Sequence, residues 1–267
     1  MPTEKSSNSG LHYYPESVVE LLLSDARNAI TPRGLVRVAL FMPGFEKPAR
    51  RSARLALPAH QGDTGVMAEI LLFHHAYGLT DGLRALAARL IAEGHTVHCP
   101  DCYAGVTFRN IDSGVKHLQR IGHDAVEDVA RRSAREFRNA DVVMGFGLGA
   151  MQAQLLAQDL RRIRGCLLMG GAFAPKALGG MWRSNASLEI HLSDPDEWVQ
   201  PDELEGLLYH APHARVYRYA NKGHLFIDEC SRDYDADAAD LFEERLESWR
   251  ADLDEQAAEL ELARNRF

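Results

Sequence analysis

The pattern of hydrophobic and polar positions changes character at about Ala68. Before it, Pro15–Ala26 sets Val18, Leu21 and Leu22 at helical spacing behind Pro15, which predicts a short amphipathic helix. Leu35–Met42 is rich in β-forming residues and Ser52–Pro58 alternates apolar with polar positions, so both read as strands. From Ala68 onward, strand and helix patterns alternate. Ala68–His74 is a continuous apolar run, as in a strand buried on both faces. Asp81–Glu93 places Leu83, Leu86, Leu90 and Ile91 on one stripe, and Gly94 ends it. His95–Cys99 is the next strand, closed by Pro100. Val115–Arg138 is helical, with a break near Gly122.

Val142–Met144 then runs into the glycine-spaced turn Gly145-Phe146-Gly147-Leu148-Gly149, followed by a helical pattern with Ala150, Ala153 and Ala157. Gly165–Met169 and Leu188–Leu192 read as strands, Asp202–Tyr209 as a helix and Arg215–Tyr219 as the last strand. A helix from about Ala236 carries Leu241, Phe242, Leu246, Trp249 and Leu253 on one face. Six strands separated by helices predict an α/β fold, a mainly parallel sheet with helices on both faces. The expected organisation is an N-terminal extension over 1–50 packed on the domain, an α/β domain over 51–250, and a C-terminal helical tail over 251–267. The tail is acidic with a thinner stripe of Leu253, Ala257 and Leu260; it suits a homodimer contact or a solvated helix equally.

Composition narrows the function classes. A chain of 267 residues, 46% hydrophobic and 25% charged, can bury a sizeable core. Its net charge of −8 opposes a nucleic-acid groove, and no apolar run approaches the ~20 residues that span a bilayer. The first ten residues, MPTEKSSNSG, lack the pattern of a secretion signal, so the expected location is cytoplasmic. Cys99, Cys102, Cys166 and Cys230 are too sparse for a disulfide framework. His95, His98, Cys99 and Cys102 offer soft ligands, but no second pair completes a closed zinc site, and no metal is expected. The basic stretch Glu46–Arg54 is a solvated hairpin loop or, less in keeping with a charge run beside proline, a phosphate patch.

In an open parallel sheet, ligands gather at the carboxyl ends of the strands. Four such ends carry candidate chemistry: His74-His75-Ala76-Tyr77-Gly78, Gly145–Gly149, Ser193-Asp194-Pro195-Asp196, and Asn221-Lys222-Gly223-His224. Strand, sharp turn and helix at Gly145–Gly149 make the setting of a nucleophile elbow, G-x-S-x-G, and elbow, then acid, then histidine is the order of an α/β-hydrolase triad. The central residue here is Gly147, which has no side chain with which to attack. Gly145–Ala150 also satisfies the dinucleotide fingerprint G-x-G-x-x-A. That mechanism needs an acidic residue at the next strand end, and Met169-Gly170-Gly171 supplies none, so no cofactor is expected.

Five stretches in order, HHAYGLTDG, GHTVHCPDCYAG, GFGLGA, HLSDPDEWV and YANKGHLFID, make the chain from about Ser52 to Trp249 resemble the dienelactone hydrolase family of α/β-hydrolases. By that resemblance His224 is the catalytic histidine and Asp196 its acid, with Asp194 as the weaker candidate. The oxyanion hole would be formed by the backbone N–H groups of Leu148 and Ala76. Family members carry Cys or Ser where this chain has Gly147. His75 stands where the family prototype has a glutamate, and Asp228 where it has an arginine. Of His74 and His75, the second is expected to face the pocket. Tyr77, Tyr103 and Trp182 are either pocket aromatics or core packing.

The resemblance implies a small ester, lactone or enol as substrate. With the nucleophile missing, His224 oriented by Asp196 would act as general base in hydrolysis, isomerisation or cyclisation, without a covalent acyl-enzyme. The alternative is a catalytically inactive pseudo-hydrolase that binds a small ligand or a partner.

Overall fold

A computed structural model describes residues 67–182 and 184–264. The helix expected over Pro15–Ala26, the strands Leu35–Met42 and Ser52–Pro58 and the basic stretch Glu46–Arg54 lie outside the described residues. Within them, strands β1 (Glu69–Phe73), β2 (Thr96–His98), β3 (Val142–Phe146), β4 (Gly165–Met169), β5 (Ser187–Asp194) and β6 (Arg215–Ala220) form one six-stranded sheet in the order β2-β1-β3-β4-β5-β6. Every neighbouring pair is parallel. Between and after them come helices α1 (Asp81–Ala92), α2 (Ile111–Ile121), α3 (His123–Glu136), α4 (Leu148–Asp159), α5 (Pro201–His210) and α6 (Ala236–Arg264).

The period-two geometry of a strand explains why the apolar runs are continuous. Leu71, Phe73, Val143, Leu168 and Ile190 point to one face, where Ala130 and Ala134 of α3, Ala153 and Leu156 of α4 and Leu204 and Leu207 of α5 cover them. Ile70, Leu72, Val142, Met144, Leu167 and Met169 point to the other, under Leu83, Leu86 and Leu90 of α1 and Phe242, Leu246, Trp249 and Leu253 of α6. Strands β3 and β4, buried on both sides, carry only apolar residues and glycine, whereas β5 buries the polar Glu189 and His191, which pair with each other at 3.3 Å.

The expected break near Gly122 is the boundary between α2 and α3, with Gly122 at φ 84°. Two residues depart from their expected stripes. Ile91 is 52% and Leu241 39% exposed. On α6 the buried positions run Phe242, Leu246, Trp249, Leu253, so Leu241, turned 100° from Phe242, falls at the edge of the contact. Ile91 stands in the same relation to Leu90 on α1. No helix among the described residues is long and apolar enough to cross a membrane.

The chain leaves β1 toward β2 on one side and returns to place β3 on the other. The carboxyl ends of β1 and β3 therefore diverge, opening the crevice where ligands settle in such sheets.

Candidate active site

The turn after β3 is held by glycines. Gly149, in the first turn of α4, packs so closely on β1 that a Cβ there would stand 2.2 Å from the carbonyl oxygen of Phe73. Gly147 adopts φ 52° and ψ −110°, a conformation that L side chains rarely take, and its N–H donates to the Met169 carbonyl oxygen at 2.7 Å. A glycine adopts this conformation where a side chain would be strained, in a turn that joins a strand to a helix. A Cβ built on Gly147 would lie 3.4 Å from Nε2 of His224, 3.2 Å from Cβ of His75 and 3.7 Å from Cδ2 of Leu225. The direction in which a nucleophile would project is thus the direction of His224.

His224 and Asp196 meet across 28 residues of chain. Nδ1 of His224 lies 3.0 and 2.9 Å from Oδ1 and Oδ2 of Asp196, and both side chains are nearly buried. With Nδ1–H donating to the carboxylate, the lone pair of Nε2 points at the space over Gly147, the tautomer a general base requires. Trp198 braces the pair, its backbone N–H donating to Asp196 Oδ1 at 3.0 Å and its ring centroid 5.9 Å from that of His224. Asp194 ends β5 with an exposed side chain, so Asp196 is the acid brought to the histidine.

Gly170, just past β4, supplies the floor. At φ 65° its Cα lies under the His224 ring, and a Cβ there would come within 2.9 Å of Cε1. Only a residue without a side chain lets the ring rest in this place. Sequence reasoning noted Met169-Gly170-Gly171 solely for its missing acid. A glycine pair at a fifth strand end was the overlooked signal.

The amides of Leu148 and Ala76 donate no hydrogen bond to any described residue. Leu148 N–H is among those at a helix N-terminus that have no partner within the helix, and both residues line the same cleft as Gly147 and His224. Two N–H donors with no acceptor among the described residues thus border the cleft.

The cleft has a volume of about 50 Å³, room for a water and a small part of a larger molecule whose remainder would occupy the mouth. Its walls are mostly apolar, with Val115, Met151, Phe173 and Val199 among them; its polar side chains are His123, Gln200, Glu203 and His224. Burial lowers the pKa of His123, keeping it neutral. The expected aromatics are elsewhere. Tyr77 is buried against the His75 ring, Tyr103 donates its hydroxyl to the Gly114 carbonyl oxygen, and Trp182 sits in the core and on a different cleft beside His210. Phe173 and Trp198 take their place. Cys102 rests against the Gln152 amide, outside the cleft, and among the described residues no three metal-ligating side chains converge.

A model of the dienelactone hydrolase family matches residues 52–252. The chain belongs to the dienelactone hydrolase family. Among solved structures it resembles a dienelactone hydrolase-like promiscuous phosphotriesterase from metagenomic libraries, at 18% identity and a TM-score of 0.60, over 72% of this chain and 89% of that one. It also resembles a Klebsiella pneumoniae protein assigned to the dienelactone hydrolases, at 19% identity and a TM-score of 0.55, with the same coverages. These likenesses speak to the fold. No curated protein matches.

Dienelactone hydrolase resemblance makes the second histidine pair legible. His75, expected to face the pocket, turns behind the elbow. Its Nε2–H donates to Asp228 Oδ2 at 2.6 Å and its Nδ1 accepts the Tyr77 N–H at 3.2 Å, which fixes the neutral imidazole. Burial lowers its pKa, against the opposing pull of Asp228. Burial would raise the Asp228 carboxyl, but the His75 ring, the Thr80 hydroxyl at 2.7 Å and the Cys230 N–H hold it below the usual carboxylate range. His75 and Asp228, which the resemblance sets at the prototype's glutamate and arginine positions, are in direct contact here. Thr80 also caps α1, accepting the Leu83 N–H, so the pair ties the loop after β1 to the segment after His224. His74 faces away as well. Nδ1–H donates to the His75 carbonyl oxygen, and Nε2 lies 3.0 Å from the Cys102 nitrogen and 3.6 Å from Asp101; burial opposes its charge, but Asp101 and its other partners outweigh that and push its pKa up to about 9.

Proposed function

We propose that this dienelactone hydrolase family member acts on a small ester, lactone or enol by His224 general-base catalysis, without a covalent acyl-enzyme. The observation that carries the reading is the Asp196–His224 pair, at 2.9 Å, with Nε2 open to the side-chain-free space at Gly147. Among the described residues that line the cleft there is no Ser, Cys, Thr or Lys to take over as nucleophile.

In hydrolysis, a water held over Gly147 attacks the carbonyl carbon while Nε2 takes its proton. The carbonyl oxygen becomes an oxyanion beside the Leu148 and Ala76 amides, and Asp196 stabilises the imidazolium. Collapse expels the alkoxide, which recovers the proton from Nε2–H. A positioned base contributes roughly 10²–10⁴-fold and an oxyanion donor about 10²–10³-fold. With an enol or an acidic C–H substrate, the same base removes the substrate's proton instead.

The test is His224→Ala on panels of esters, lactones and enols. A fall of about 10²-fold or more in kcat, with the melting transition retained, is expected. Unchanged turnover, or none in either protein, would return the alternative of a ligand-binding pseudo-hydrolase.

A further inference from the structure

Charge in the cleft is one-sided. Among the described residues that line it there is no Lys or Arg, and its ionised side chain is Glu203. Glu203 stands in the first turn of α5 and is held there by the Ala174 N–H, which donates to Oε2 at 2.6 Å. Asp196, buried behind His224, adds a second negative charge, and His123 stays neutral. The N-terminus of α5, which would otherwise favour an anion, carries Asp202 and Glu203 in its first turn. Among the described residues of the cleft, the amides of Leu148 and Ala76 have no protein acceptor, and they border the space over Gly147, where charge develops on the reacting oxygen.

We propose that the cleft selects substrates that are uncharged away from the reacting carbonyl and rejects those bearing a carboxylate or phosphate, and that Glu203 is the specificity-determining residue. This deepens the function proposed above and rests on it. At an effective dielectric near 20, two like charges held within about 10 Å of each other repel enough for a tenfold or greater loss of the anionic substrate. The apolar walls oppose the anion too, because a carboxylate buried against Met151, Phe173 and Val199 finds no cation to replace its water.

The experiment compares 4-acetoxybenzoate with its methyl ester, two acetyl esters of nearly equal shape that differ by one negative charge. Each kcat/KM is divided by the ester's own uncatalysed rate. The neutral ester is expected to win by tenfold or more, and Glu203→Gln, whose amide oxygen still accepts the Ala174 N–H, to narrow that ratio at least threefold. A ratio within twofold in the native protein, or one that Glu203→Gln leaves in place, overturns the proposal. If neither ester is turned over, the function fails. The selectivity is then read from binding of methyl 4-hydroxybenzoate against 4-hydroxybenzoate by ligand-observed NMR. Preference for the neutral compound upholds it; equal binding, or no binding of the neutral compound, overturns it.

Discussion

Restoring a hydroxyl at the elbow tests the site most directly. In Gly147→Ser the new Cβ would lie 3.4 Å from His224 Nε2. With a C–O bond of about 1.4 Å and a near-tetrahedral angle, Oγ falls roughly 2.6–2.9 Å from that nitrogen, within hydrogen-bond reach. Two costs oppose it. A side chain at φ 52° carries backbone strain of about 1–3 kcal/mol, and the Cβ meets that of His75 at 3.2 Å, which asks the neighbour to give by a few tenths of an ångström. At about 2–4 °C per kcal/mol for a domain of this size, the melting temperature should fall by several degrees. Against this, removing the serine of an intact triad costs on the order of 10⁶-fold in kcat, so regaining it should raise ester turnover by about 10²-fold or more even in imperfect geometry. The assay is chromogenic ester hydrolysis, with a burst of product and acylation at Ser in position 147 seen by mass spectrometry. A variant that melts cooperatively but neither accelerates nor acylates would refute the view that the dyad and oxyanion amides are correctly built.

Other outcomes follow from neighbouring contacts. Gly170→Ala would drive a methyl to within 2.9 Å of the His224 ring; a displacement of about 1 Å should cost on the order of 10²-fold in kcat with the fold kept, and native kcat in the folded variant would contradict it. Stability should fall on acidification below about pH 6.5. Burial holds His75 and His191 neutral with pKa values below the ordinary histidine value of about 6.5, so under that pH the unfolded chain binds protons that the native protein does not. Each contributes a slope of up to about 1.4 kcal/mol per pH unit, and Asp228, whose pKa is lowered, adds a further loss below about pH 4. Chemical denaturation from pH 8 to pH 4 measures this, and a flat profile would rule it out.

Much of the architecture was legible in the chain because it depends on local rules. Gly165–Met169 is a strand at the limits read from its apolar run, since a strand in mid-sheet must be apolar on both faces. The turn after β3 was legible for a similar reason. Gly147 must take a positive φ, and Gly149 must let α4 approach Phe73, so the glycine spacing marks the turn. The family resemblance pointed to His224 and to Asp196 ahead of Asp194, and the structure brings His224 and Asp196 together. Pocket residues were harder. For Tyr77, Tyr103 and Trp182 the sequence leaves pocket and core equally open, because aromatic rings serve a core as readily as a cleft. Which of the two they serve depends on the direction of each Cα–Cβ bond. His75 illustrates it. Its Cβ touches the space over Gly147 while its ring turns toward Asp228, 153 positions away.

By itself, then, the sequence determined the elements, the parallel sheet with helices on both faces, and a glycine in place of the nucleophile, because periodicity and backbone strain act over a few residues. Only the tertiary structure decided what surrounds that glycine. It put Gly170 beneath His224, Phe173 and Trp198 around the opening, Glu203 on its wall and the His75–Asp228 pair behind it. Those placements come from chain segments up to 153 positions apart, and their physical basis is the packing of loops at one sheet edge, which no local pattern encodes.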